Sequence, residues 1–198
     1  MMKSVLLAAL ALLPATAFAV DGVVLINQAS VTGAGGFPFT ISQPGSYKLS
    51  GNLVVPAGAN GIIIVASNVT LDLAGFSITT PGTGGAPDTL GITTGAALST
   101  AVTIKGGAIR GFTNPIEPLA DTQFWQVEEL VLEGALAGGS ASMDMGTYTR
   151  IWHVTGRSVN FNVGCPSVVA ESIAVAISIS PGNPGSGGCA FTGNATLH

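Results

Sequence analysis

The chain has 198 residues, with 6 Lys+Arg against 10 Asp+Glu, 8% charged and 47% hydrophobic residues, and 28 Gly; its mean hydropathy is +0.57. That is about a third of the charge of an average soluble domain, which excludes a disordered chain and argues against a helical bundle, whose outer faces need Lys and Glu. An acidic chain with six basic residues has no stripe to neutralise phosphates, so nucleic acid is excluded as a partner.

Residues 1–19 read as a secretory signal peptide. Met1-Met2-Lys3 is a positive start, Ser4 to Leu13 is apolar, and Ala17-Phe18-Ala19 is a small-x-small site predicting cleavage after Ala19. The apolar run is short for a membrane span of about 20 residues and Pro14 interrupts it. Cleavage removes Lys3 and leaves Val20 to His198, with ten acidic groups against five basic ones. Its length suits one domain. No later apolar run reaches membrane length, so the mature protein is expected to be secreted or periplasmic, in part associated with the cell surface.

Beyond residue 19 helix signals are nearly absent, while β-branched residues and Gly/Asn/Pro punctuation recur. Asn68-Val69-Thr70-Leu71-Asp72-Leu73-Ala74-Gly75-Phe76-Ser77-Ile78 alternates apolar and polar residues and turns at a Gly. Similar stretches begin at Ala101, Val127, Thr149 and Ala170. Matching Val69/Leu71, Val102/Ile104, Leu130/Leu132, Trp152/Val154 and Ile173/Val175 gives offsets of 33, 28, 22 and 21 residues. In the fourth copy Ile151 competes with Trp152 for the inward position. Repeats of about 20–50 residues mean solenoids or propellers. These units lack the length of a propeller blade and the Leu/Asn pattern of a leucine-rich repeat. Short β-alternating units with variable Gly-rich insertions predict an all-β parallel β-helix in which each coil buries its inner face against its neighbours. The shrinking offsets predict long loops on early coils and nearly minimal coils later. Cys165 and Cys189 are an even pair in an oxidising compartment, for which a disulfide is the default reading; a metal pair or catalytic thiol is the alternative.

Pro38-Phe39-Thr40-Ile41-Ser42-Gln43-Pro44-Gly45-Ser46-Tyr47-Lys48-Leu49-Ser50-Gly51-Asn52-Leu53, followed by the 68–78 stretch, resembles the opening of secreted bacterial right-handed parallel β-helix proteins of the pectin-lyase-like superfamily. The resemblance is specific over residues 24–112. It continues weakly to Cys165-Pro166-Ser167 and Gly188-Cys189, which look like the closing segment of such proteins. It implies a single-stranded right-handed solenoid in which residues 20–55 form an N-terminal cap and first strands and residues 56–198 form the coils. Val23 to Val55 then caps one end with a strand or a short hairpin turning at Pro44-Gly45. On that fold the two cysteines fall about one coil apart, and a bond between them staples the C-terminal end.

The resemblance brings polysaccharide lyases to mind, which need a basic residue to abstract a proton and cations to neutralise a uronate. Only Lys48, Lys105, Arg110, Arg150 and Arg157 are available. In the repeat register Asp72, Lys105 and Glu133 fall in one outward column, read as an alternating-charge ladder rather than a substrate platform. A glycoside hydrolase needs two carboxyl groups at about 5–9.5 Å, and Asp121, Glu128, Glu129, Glu133 and Asp144 are the supply near mid-chain. Glu128 and Glu129 are adjacent on a strand and point to opposite sides unless a bend intervenes. His153, the only internal histidine, reads as an ordinary strand residue rather than a triad member. Met143 and Met145 read as core rather than a Cu(I) pair. Trp125, Trp152, Phe124 and Tyr148 offer rings for sugar stacking, although large aromatics more often fill a core. The sequons at Asn68 and Asn194 read as turns rather than glycan sites.

Taken together these readings predict an exported, non-catalytic β-helix module at the cell surface or in the matrix. It has no cofactor, no metal and no membrane span after cleavage, and its expected partner is a polysaccharide or cell-surface glycan. The alternative is a carbohydrate-active enzyme, a polysaccharide lyase or glycoside hydrolase, which rests on fold analogy alone.

Overall fold

The computed structural model describes residues 22–81, 89–95, 99–118, 122–134, 141–164, 167–174, 176–180, 190–191 and 196–197. The predicted cleavage site at Ala19 and both cysteines, Cys165 and Cys189, lie outside these residues, as do Asp121 and Asn194.

The strands are β1 (Val23–Ile26), β2 (Phe39–Ile41), β3 (Gly45–Leu49), β4 (Leu53–Val54), β5 (Ile62–Ile64), β6 (Val69–Asp72) and β7 (Ser77–Thr79) in the N-terminal part, where α1 (Gln28–Gly33) is the one helix among the described residues. The centre holds β8 (Leu90–Thr94), β9 (Val102–Phe112), β10 (Asn114–Glu117), β11 (Gln126–Gly134) and β12 (Ala141–Met145). There follow β13 (Arg150–Trp152), β14 (Thr155–Arg157), β15 (Val159–Gly164), β16 (Val168–Ala170), β17 (Ile173–Ala174), β18 (Ala176–Ser180), β19 (Ala190–Phe191) and β20 (Thr196–Leu197).

All of them pair in parallel, in two sheets. One carries β1-β3-β6-β9-β11-β13-β16-β19 as its main path, and the other runs β2-β5-β8-β10-β12-β15-β18. Along the main path a second row continues past a bend, as β4-β7, the latter halves of β9 and β11, then β14-β17-β20. The chain therefore visits first row, second row and second sheet in turn, and each turn stacks on the one before, a β-helix-like arrangement. Parallel strands buried on one side by every neighbour explain why apolar residues alternate so strictly.

Three inward columns make the core. The first is Tyr47, Leu71, Ile104, Val127, Ile151 and Val169, all buried. The second is Leu53, Ile78, Ile109, Leu132 and Gly156. The third, on the other sheet, is Ile62, Ile92, Ile116, Met143 and Phe161, again fully buried. Met143 and Met145 are 0% and 6% exposed, and Trp125 is 0% exposed with its indole donating to the Ser99 carbonyl at 3.1 Å; these are core groups.

The register corrects the repeat alignment. Leu130 and Leu132 stand abreast of Gly107 and Ile109, not of Val102 and Ile104, which lie in the first row. Ile173 likewise stands abreast of Thr155, in the second row. Each turn holds two short apolar pairs of similar appearance, and the alignment jumped from one row to the other. With rows separated, the spacing is not a steady decline. Gly45 to Val69 is 24 residues, Val69 to Val102 is 33, Thr103 to Gln126 is 23, Gln126 to Arg150 is 24 and Arg150 to Val168 is 18. One enlarged turn interrupts otherwise compact ones.

The N-terminal end also differs from expectation. The strands flanking Pro44-Gly45, β2 and β3, lie in different sheets, so that turn joins two sheets and not the arms of a hairpin. Between β1 and β2 the chain forms α1 where later turns have a second-row strand. Asn27 starts it by a capping box, its side chain accepting from Ser30 N at 3.0 Å. Val31 is 0% exposed and closes the core. Gln28 does the work of a missing strand: its side-chain carbonyl accepts from Val54 N at 2.9 Å and its amide donates to Val54 O at 3.3 Å. A free strand edge is thereby satisfied by one side chain.

Candidate functional site

Two bends recur at the same place in successive turns, and each needs a positive φ. Before the first row the bend residues are Asn68 (φ 56°), Ala101 (56°), Phe124 (59°) and Tyr148 (56°). After it they are Gly106 (71°), Glu129 (55°), His153 (50°) and Glu171 (49°). A side chain at such a corner is thrust outward, whatever its chemistry. This is how Phe124 and Tyr148 come to be 52% and 49% exposed although both are large aromatics. Their rings stack with centroids 4.9 Å apart and planes 20° apart, close to the spacing of neighbouring strands.

Between the two bends β13 presents Arg150 and Trp152 outward while Ile151, 0% exposed, points in. The Arg150 guanidinium lies 4.2 Å from the centroid of the Trp152 ring, a cation–π contact. The Trp152 indole donates to Glu171 Oε2 at 3.3 Å, and the same oxygen pairs with His153 Nε2. Trp152 and His153 meet edge to face at 5.3 Å. The His153 and Trp152 hydrogen bonds hold the Glu171 carboxyl below the usual carboxylate value of 4.5. On the neighbouring strand Glu128 stands abreast of Trp152, and Val168 and Ala170 stand abreast of Arg150 and Trp152 on the other side.

The surface so built is a strip about 13 Å long, from strand rise over four residues, with a stacked aromatic pair at one end and an indole at the other. Polar groups of both kinds, Arg150, Gln126, His153 and Glu171, line it. A flat ring flanked by donors and acceptors suits a ligand that is apolar on its face and polar at its rim.

The other candidates fall elsewhere. The outward column through Asp72 and Lys105 continues to Glu128 and not to Glu133, and begins at Lys48. Glu133 belongs to a second column, Arg110–Glu133–Arg157, in which Arg110 Nε lies 3.6 Å from Glu133 Oε2. Both columns alternate in sign along the stack, as a ladder should. Glu128 and Glu129 are separated by a bend, the positive φ of Glu129. His153 is a corner residue, not a strand residue, and is paired with Glu171, whose role the sequence did not indicate. The only warning was its spacing from His153, 18 residues, equal to the shortest turn. Asp144 lies on the outer face of the second sheet, accepting from Ser142 Oγ at 2.6 Å, and Ser142 N donates to Asn114 Oδ1 at 2.9 Å. Asn68 occupies a bend, as a turn residue should. Among the described residues no group of three or more His, Cys, Asp or Glu is placed to hold a metal ion, and no helix is long and apolar enough to cross a membrane.

No protein-family model, curated protein or solved structure matches the chain.

Proposed function

We propose that the protein is an exported, non-catalytic module, built as a right-handed parallel β-helix of the pectin-lyase-like kind, that contacts polysaccharide or cell-surface glycan through the Phe124–Tyr148–Trp152 strip. The observation that carries this reading is the placement of three outward-facing aromatic side chains on two successive turns, Phe124 and Tyr148 exposed and stacked at 4.9 Å and Trp152 half-buried, while the other large apolar groups among the described residues are mostly buried. The signal-like residues 1–19 support export. Binding rather than catalysis is supported by how the basic groups are distributed. Lys48, Lys105, Arg110 and Arg157 alternate with carboxylates along two ladders, and Arg150 covers Trp152.

The test is affinity electrophoresis of the mature protein through gels containing neutral or acidic polysaccharides, with assays for reducing and unsaturated ends. Retardation without turnover is expected. Trp152→Ala should weaken it about tenfold, the equivalent of about 1.4 kcal/mol, near the upper end for a single aromatic contact. New reducing or unsaturated ends would instead establish the carbohydrate-active enzyme.

A further inference from the structure

We infer that the strip takes a neutral pyranose chain and discriminates against polyuronates. The inference rests on the glycan-contact reading above and concerns the charge of the ligand. It follows from what surrounds the Trp152 ring. Glu128 stands abreast of Trp152 on one neighbouring strand. Glu171, from the turn on the other side, bonds both the indole and His153. Glu129 occupies the bend beside His153, one turn earlier. Three carboxylates therefore border the indole end of the strip.

Against them stand His153, which is engaged with Glu171, and one guanidinium, Arg150, which is already seated over the Trp152 ring at 4.2 Å. Drawing it off to meet a uronate would forfeit that contact and leave the ligand's carboxylate facing Glu128 and Glu171. Lys105, the next cation, lies beyond Glu128 and abreast of it, so it compensates Glu128 before it reaches a ligand. At the other end Phe124 and Tyr148 carry no charge, and Gln126 and Val168 flank Arg150 along the stack. A chain with hydroxyls and no carboxylate can pack on the exposed Phe124 and Tyr148 rings and use Glu171, Gln126 and Arg150 as hydrogen-bonding partners without repulsion. The same strand spacing that lines up the rings thus also sets the charge they tolerate.

The experiment compares retardation of the full mature chain in gels holding neutral glucan, xylan or galactan with gels holding polygalacturonate or alginate, at low and high salt. Retardation at least about tenfold stronger in a neutral gel is expected, with little change on adding salt, because no charge attraction is being screened. The Glu128→Gln, Glu129→Gln double variant should narrow the difference between neutral and acidic gels while keeping its retardation in the neutral one; a circular dichroism spectrum matching the parent confirms that it folds. Stronger retardation by a polyuronate, weakened by salt, would overturn this inference and leave glycan contact standing. Retardation by none of these polymers would remove the glycan-contact reading, and this inference with it.

Discussion

Ile151 and Trp152 are neighbours in sequence and opposites in environment, and replacing each by alanine tests the register on which the site depends. Ile151 is 0% exposed and sits between Val127 and Val169 in the first inward column. Truncation to alanine removes three carbons, about 2.4 kcal/mol at about 0.8 per buried methylene. The turns above and below are tied to each other by backbone pairing and cannot close the gap, so a cavity term adds to this. The total should be about 3 kcal/mol, inside the range of roughly 2–5 for such changes. For a domain of this size that is a fall in Tm of roughly 6–12 °C. Trp152, half-buried on the outer face, loses its contact with Arg150, about 0.5–1 kcal/mol, together with an exposed hydrogen bond to Glu171 and an edge contact with His153, and leaves no cavity, so its cost stays below that of Ile151. Urea and thermal unfolding followed by far-ultraviolet circular dichroism, which does not depend on the removed indole, give both values. If Trp152→Ala destabilises as much as Ile151→Ala, the strand faces the other way and the strip does not exist.

Three further outcomes follow from other parts of the molecule. Gly107→Ala should destabilise by about 1–3 kcal/mol, measured by urea unfolding, because a Cβ there would lie 2.4 Å from the Phe76 carbonyl oxygen and 2.5 Å from Leu73 Cβ. Asn27→Ala should cost about 1 kcal/mol through loss of the helix cap, seen as earlier hydrogen exchange at Ser30 and in the strands that α1 covers. Glu171→Gln should change the pH dependence of Tm on the acid side. The folded carboxyl titrates below 4.5, so its stabilising contribution is complete above that value and is lost as pH falls through the lower folded one. The gap in Tm between parent and variant should thus be present at neutral pH and close in acid; a gap that widens in acid would contradict the Glu171–His153 pairing.

Much of the architecture was legible in the residues themselves. Alternation at Val69-Thr70-Leu71-Asp72 and its echoes betrayed half-buried strands, and their return along the chain betrayed stacking. What failed was the phase. Val69/Leu71 and Leu130/Leu132 look alike because each of two rows in a turn buries an apolar pair, and a single sequence carries no mark of which row a pair belongs to. That phase error also misplaced Glu133 beside Lys105, where Glu128 stands. The N-terminal helix escaped notice because six residues, Gln28–Gly33, are too few for a helical period to emerge.

Composition and alternation by themselves determined an all-β chain with parallel stacking, few charges and a core of aliphatic columns, because those properties depend on local residue order and on how many apolar groups must be hidden. Which side chains face outward together was decided only by the tertiary structure. Phe124 and Tyr148 read as core candidates until their positive-φ bends turned them to solvent, and Trp152, His153 and Glu171 meet only because a turn of 18 residues lays one corner over the next. The length of each turn, summed over loops that carry no periodic signal, fixes that meeting, and it is a property of the closed coil rather than of any segment within it.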